Sequence, residues 1–368
     1  MRWRESIDGM RRIFLALLAG IALCGWAQEV EVFNIENPAV RAYMLDEAYH
    51  KTDDSDLSII FDFVKKDGAR QDIPNGKEIT WEATISADKI RHFEITLSTN
   101  EDFSDSLTYF TKDGAATSYT LRNMYPNRTY FYRVVQVPKD GSLSYDELAW
   151  GTFKTTGQVR MMFIEGARNV RDMGGWMTSF GKPIQYGKMY RSGHLDRLTP
   201  AAVHEFCDNQ HLSAEHDLRG SMRKEPKLTA SRVRSDIFYH RIVSDAYNLT
   251  SKSAINAENI SWIIKCLREN RVIDWHCSVG CDRCGTVSFL IGGVLGMNEV
   301  DLTRDYELSC FAGFDKPRNH AGFRRMLPYI KKFGPADDLA QCFYNYLVQS
   351  GVKSEDLDYL REVMVLKP

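Results

Sequence analysis

Between Gln28 and about Gly157 the apolar positions of this chain recur every second residue, in short aromatic-rich runs broken by turn-forming clusters. The runs Leu57–Phe63, Ile79–Thr84, His92–Leu97, Tyr119–Leu121, Tyr130–Val135 and Trp150–Phe153 have the length and spacing of strands in an all-β sandwich. Asp113-Gly114 and Lys139-Asp-Gly141 mark hairpin turns. From Val159 onward the pattern changes. Strand-like runs at Lys188–Ser192, Ser213–Leu218, Phe238–Val243 and Arg271–His276 precede or alternate with helical periodicity near 257–269, 284–297, 299–310, 318–333, 337–349 and 354–364. Thr199 before Pro200 is an N-cap followed by a proline at the first helical position. Such alternation predicts an α/β domain, a central sheet flanked by helices, over 158–368, preceded by the all-β unit at 28–157.

Residues 1–27 stand apart from both patterns. Arg2, Arg4, Arg11 and Arg12 precede an apolar run from Ile13 to Trp26, and small residues before Gln28 offer a cleavage site, as in a secretory signal of bacterial type. The run is short for a membrane span, so export to the periplasm or beyond is expected, with lipid anchoring through Cys24 the lesser alternative. The 368 residues suffice for two domains, and 43% hydrophobic with 26% charged residues is ordinary for a folded protein. A net charge of −2 with no basic block after the leader gives nucleic-acid binding no support. Removing Cys24 leaves seven cysteines, 207, 266, 277, 281, 284, 310 and 342, an odd number mostly in apolar helical patterns, which predicts single buried thiols.

Chemistry concentrates in residues 276–286, His-Cys-Ser-Val-Gly-Cys-Asp-Arg-Cys-Gly-Thr. Arg271–Trp275 before it reads as a buried strand and Cys284–Met297 after it as an apolar helix. A strand feeding a helix N-terminus through a short glycine-containing loop gathers backbone N–H groups around an anion. Cys277 stands at the strand end of that loop and Arg283 at the helix end. A dianion would be held by the amides of Ser278, Val279, Gly280, Cys281 and Asp282 and by the guanidinium of Arg283. The same field lowers the pKa of the Cys277 sulfur in front of it. The arrangement predicts phosphoryl transfer through a phosphocysteine.

His276-Cys277-x5-Arg283 resembles the signature of the cysteine-dependent protein-tyrosine phosphatase superfamily, and Asp282 before the arginine resembles its bacterial tyrosine and phosphoinositide phosphatase branch. Asn169-Val-Arg-Asp-Met-Gly-Gly175, Tyr190-Arg-Ser-Gly193, Leu198-Thr199, Asp217-Leu-Arg-Gly220 and Asp305-Tyr306-Glu307 follow in the order that branch shows, so the likeness covers about residues 163–310. The upstream unit resembles a fibronectin type III domain, with Leu121, Pro126 and Tyr130 at the spacing of its leucine–tyrosine corner. The loop departs from the branch at two places: Cys281 and Cys284 stand where lysine and threonine are usual. A thiol donates to the departing thiolate more weakly than a hydroxyl.

The resemblance implies a phosphomonoesterase acting foremost on phosphotyrosine, with a phosphoinositide or inositol phosphate as the alternative and a degenerate phosphate-binding module as the non-enzymatic one. No cofactor or metal is implied. The sandwich is expected to meet a protein or glycan partner. Asp282 is the preferred general acid. Asp245, 32 residues before Cys277, is the competing candidate by the spacing of mobile-loop acids. His276 is expected to orient the loop and support the thiolate. Arg171 and Asp172 are expected to anchor the Asn169–Gly175 turn, and Asp217, Arg219 and Cys284 to stand behind the site. The spacing Cys277-x3-Cys281-x2-Cys284 is also that of an iron–sulfur motif, against which stand the leader and the ordered blocks. Cys281 or Cys284 could instead trap an oxidised Cys277 as a disulfide.

Overall fold

The computed structural model describes residues 31–32, 38–45, 70–141, 147–313 and 321–367. The leader and the expected strand at Leu57–Phe63 lie outside the described residues. The chain divides into two compact units, one of residues 1–32, 78–120 and 127–156, the other of residues 33–77, 121–126 and 157–368.

The first unit is built of strands. A five-stranded sheet runs in the order β1 (Glu31–Val32), β7 (Glu147–Thr155), β6 (Thr129–Pro138), β3 (Ile90–Ser98), β4 (Leu107–Phe110). Its neighbours are antiparallel except β1, which lies parallel to β7. A separate ribbon pairs β2 (Lys77–Thr80) with β5 (Ser118–Leu121). Alternation along these strands puts Phe93, Ile95, Tyr130, Val134 and Phe153 inside. Trp81 packs on Phe93 with ring centroids 5.0 Å apart, and Tyr130 stacks on Phe153 at 5.6 Å. Short β4 escaped the sequence pattern, because Leu107-Thr-Tyr-Phe110 carries no clean alternation.

The second unit is mixed α/β, as its pattern predicts. Its sheet has the order β11 (Phe238–Arg241), β10 (Leu212–Asp217), β12 (Val272–His276), β9 (Met189–Ser192), β8 (Arg171–Asp172). All pairs are parallel except β8–β9. A parallel sheet is covered on both faces, and every residue of β9 and β12 is buried. The helices are α1 (Pro38–Leu45), α2 (Pro200–His204), α3 (Ser253–Arg268), α4 (Asp282–Val294), α5 (Glu299–Glu307), α6 (Ala321–Arg324), α7 (Met326–Ile330), α8 (Leu339–Ser350) and α9 (Ser354–Arg361). Thr199 caps α2 through a side-chain bond from the Ala202 amide, at 3.2 Å.

Helix α1 belongs to this unit's core: Val40 and Tyr43 are wholly buried, and Tyr43 donates to Glu307 Oε2 at 2.5 Å. Residues 71 and 72 attach nearby, both amides donating to the Phe311 carbonyl at 2.8 and 3.1 Å. Helix α4 is buried on all sides, which is why its residues read as a continuous apolar run. One face of the sheet departs from an apolar core. Glu215 and Asp217 of β10 lie beside Asp274 and His276 of β12, in register, and all four are buried.

Candidate active site

Strand β12 ends at His276, and after five intervening residues α4 begins at Asp282. The turn between them is tight because Gly280 takes φ +75°, and a Cβ there would meet the Ser192 carbonyl and the Gly193 nitrogen at 2.6 Å. Three successive carbonyls of the turn are held from behind. Asn169 Nδ2 donates to Val279 O at 3.2 Å, and Arg191 Nη2 donates to Gly280 O at 2.9 Å and Cys281 O at 3.2 Å. With the oxygens tied outward, the loop's amides are left to face its hollow, at the positive end of α4. An anion there meets fixed dipoles that need no reorganisation.

The outer layer is itself cross-braced. Asp305 accepts from Arg171 Nε at 3.0 Å and from Arg191 Nη1 at 2.5 Å, and Arg171 Nη1 donates to Asn169 Oδ1 at 2.5 Å. Asn169 sits at φ +57°, a conformation asparagine tolerates, and its amide donates to Asp72 at 2.8 Å. Arg171 thus reaches the loop through Asn169. Asp172 turns away from it, bound by Arg160 at 2.9 Å and by the amides of Gly174 and Gly187 at 2.8 and 2.7 Å.

Cys277 lies at the bottom of the hollow, 1% exposed, and its sulfur accepts from the Gly280 amide at 3.2 Å. Its pKa is held well below the usual thiol range. The Cys284 thiol donating to it has the largest effect; the Arg283 charge and the amides of Val279 and Cys284 add to it, and together they outweigh burial. Burial and the neighbouring Cys277 push Cys284 the opposite way, well above its ordinary value. The two sulfurs are thus pushed in opposite directions. Cys284 Sγ also points at the carbonyls of Ser192 and Trp275, both at 3.6 Å. Cys281 turns elsewhere, its sulfur accepting from Asn169 Nδ2 at 3.7 Å. Among the described residues no group of three or more His, Cys, Asp or Glu side chains could hold a metal ion.

Arg283 is gripped by a residue that the sequence pattern did not single out. Its Nη1 and Nη2 donate to the two oxygens of Glu225 at 2.9 and 2.5 Å, a bidentate pair with both side chains 6% exposed. Glu225 accepts also from Ser278 Oγ and from the amides of Gly220 and Met222, at 2.8 and 3.1 Å for the amides. Burial alone would raise its pKa, but Arg283 and these donors bring it down to about 2. Glu225 thus fixes the guanidinium plane beside the hollow. In the sequence it is a single acid in the basic stretch Ser221-Met-Arg-Lys-Glu-Pro226, eight residues past Asp217, with no periodicity to mark it.

Asp282 stands half-buried in the first turn of α4, and its Oδ1 accepts from Tyr247 Oη at 2.5 Å and Tyr306 Oη at 3.2 Å. Asp245 is half-buried and faces Lys252 at 3.7 Å. His276 is buried with Nε2 2.9 Å from Glu215 and Nδ1 3.9 Å from Asp217. Burial favours its neutral form, but the Glu215 bond and the charges of Glu215, Asp217 and Asp274 raise its pKa to about 9. Arg219 clamps Asp217 at 2.8 Å and Asp196 at 2.5 Å, closing the carboxyl ends of the sheet.

A sheet, a strand–loop–helix anion cradle at its carboxyl edge, a low-pKa cysteine and a fixed arginine together make a site that can hold an anion in front of a sulfur. The sequence profile of the tyrosine phosphatase family matches residues 162–365, more than half of the chain, and the chain belongs to that family: it is a phosphatase. No curated protein matches it. Among the solved structures that match is one described as the crystal structure of P. aeruginosa TpbA, 13% identical, with a TM-score of 0.31, covering 44% of this chain and 89% of that chain.

Proposed function

We propose that this phosphatase hydrolyses phosphomonoesters, phosphotyrosine foremost, through a phosphocysteine at Cys277, as the bacterial tyrosine phosphatase branch it resembles would. The Cys277 thiolate attacks phosphorus in line while the ester P–O bond breaks. Arg283 and the loop amides hold the three remaining oxygens, and the Asp282 carboxyl gives its proton to the leaving oxygen. Water then attacks phosphorus, the P–S bond breaks, Asp282 recovers a proton from the water, and Cys284 donates to the returning thiolate. The observation that carries this reading is the Cys277 sulfur, buried in the amide hollow with its pKa lowered by Cys284 and Arg283.

Asp282 rather than Asp245 is assigned the acid role. Asp282 adjoins Arg283 and is oriented by two tyrosines, whereas Asp245 is paired with Lys252. Phosphotyrosine is favoured over a polyol phosphate by the rim: Met222 is 60% and Val243 43% exposed on the side of the Gly220–Glu225 turn, apolar surface that an aryl ring can use. The first unit is assigned as a fibronectin type III-like sandwich, supported by its antiparallel strands, with a protein or glycan as its partner. Export is inferred from the leader; a chain found intact in the cytoplasmic fraction would contradict that.

The test is turnover of a phosphotyrosyl peptide. Cys277→Ser lowers kcat by about a thousandfold or more. Asp282→Asn lowers it by about 10²-fold, and by less on p-nitrophenyl phosphate, whose leaving group needs no proton. Equal rates for wild type and Cys277→Ser would overturn the mechanism.

A further inference from the structure

Beside the phosphate cradle lies a second cavity, of about 420 Å³, lined by Arg70, Gly166, Ala167, Arg168, His194 and Arg197. It contains no carboxylate among its lining residues. Arg70 is fixed in its wall, donating to Ala167 O at 2.9 Å and paired with Asp72 at 3.1 Å, so its charge is largely answered. Arg168 and Arg197 are different. Both are exposed, and among the described residues neither has a hydrogen bond or ion pair from its side chain. His194 adds a ring whose Nδ1 is buried without a hydrogen-bond partner, 3.7 Å from Asp196, which is itself taken by Arg219.

The recess lies next to the loop, with buried Gly193 packed against both. A Cβ built on Gly193 would meet Arg168 O at 3.1 Å, Arg168 Cγ at 3.2 Å and the Val279 carbonyl carbon at 3.5 Å, and the Gly193 amide donates to Arg168 O at 2.8 Å. Two unanswered guanidinium groups in an open, polar recess next to a dianion site attract a second anion. Each offers a planar fork that matches a carboxylate.

Resting on the phosphatase reading above, we propose that Arg168 and Arg197, with Arg70 as the wall, form a subsite for an acidic side chain flanking the phosphotyrosine of a peptide substrate. A peptide is favoured over a bis-phosphorylated polyol because the surface at Met222 and Val243, by the Gly220–Glu225 turn that holds Arg283, is apolar. The ring then lies on that side while the neighbouring acidic residue reaches the exposed guanidinium groups of Arg168 and Arg197.

The experiment compares kcat/KM on three phosphotyrosyl peptides that differ only in flanking residues, glutamate, glutamine or lysine, with a soluble inositol bisphosphate as a fourth substrate. In wild type the glutamate peptide leads the glutamine peptide by about tenfold, and the lead shrinks in high salt. In Arg168→Ala/Arg197→Ala the two peptides become nearly equal. In Arg168→Glu/Arg197→Glu the lysine peptide leads. Both double variants keep the wild-type unfolding midpoint, since neither side chain is bonded within the fold. Equal wild-type turnover of all three peptides, a glutamate preference that survives the double variant, or arginine-dependent turnover of the inositol bisphosphate alone would each overturn the subsite. A wild-type enzyme inactive on every peptide, or a Cys277→Ser variant as active as wild type, would instead overturn the phosphatase mechanism on which it rests.

Discussion

Cys284 replaces the hydroxyl that usually follows the arginine in such loops, and the structure shows what that replacement does. A thiol in this position still lowers the Cys277 pKa, but sulfur is a poor donor and this one also points at two carbonyls. Under the mechanism proposed above, departure of the thiolate from the phosphocysteine then becomes the slow step. Cys284→Ser restores a stronger donor of similar size, worth about 1 kcal/mol to the leaving sulfur. We predict kcat raised about fivefold and a smaller pre-steady-state burst with p-nitrophenyl phosphate; an unchanged burst and kcat would mean that Cys284 does not serve the second step. At this scale Cys277, Arg283 and Asp282 were legible because loop chemistry demands those residue types at fixed spacing. Glu225 was not, since a single carboxylate that works by folding back onto an arginine leaves no pattern in sequence. Tyr247 and Tyr306, which orient Asp282, were hidden for the same reason: contacts across 35 and 24 residues are made by the fold.

Strand β12 carries an unusual load for a central parallel strand. Its Ile273 and Trp275 face an apolar side, while Asp274 and His276 face Glu215 and Asp217. Burial raises the Asp274 pKa to about 7 even against the pull of His276, and the acids around His276 raise its pKa to about 9. Both shifts mean that the folded state binds protons more tightly than the unfolded one. For His276 the stabilisation is complete below about pH 6.5 and is lost as pH rises through about 9, a loss of about 3 kcal/mol at most. Asp274 acts in the same direction at lower pH, its contribution fading as pH rises from about 4 towards about 7. Urea midpoints are predicted to fall between pH 6.5 and 9, with a shallower fall in Glu215→Gln, where the imidazolium loses its acceptor. A midpoint independent of pH in that window would contradict the assignment of a charged His276. The strand itself was legible from its apolar run, as was helix α4 from its own. The short pair β8–β9 was only half so, because two-residue β8 exists to hang Arg171 and Asp172 rather than to follow a hydrophobic period.

The unit that holds the site draws on more of the chain than residues after Val159. Helix α1 sits in its core, and Asp72 bonds the Asn169 amide that backs the loop. These early residues carry no sequence signal for the site, since a short amphipathic helix docked on a distant partner looks like any connector. Tyr43 couples packing to polarity: its ring lies 5.4 Å from that of Phe311, and its hydroxyl answers the buried Glu307 carboxylate. Tyr43→Ala is predicted to cost about 3–5 kcal/mol, lowering the midpoint of the unfolding transition that abolishes activity; Tyr43→Phe costs about 1–3 kcal/mol by leaving Glu307 short of a donor. A Tyr43→Ala variant within 1 kcal/mol of wild type would show that α1 contributes little to that core.

The central claim is that phosphorus passes through the sulfur of Cys277, and rapid acid quenching of a single turnover tests it most directly. With a phosphotyrosyl peptide the enzyme is predicted to carry one phosphoryl group on the Cys277 peptide, seen by mass spectrometry at early times and gone by the end of the turnover. Phosphate released with no adduct at any time, or an adduct carried by another residue and retained in Cys277→Ser, would contradict it.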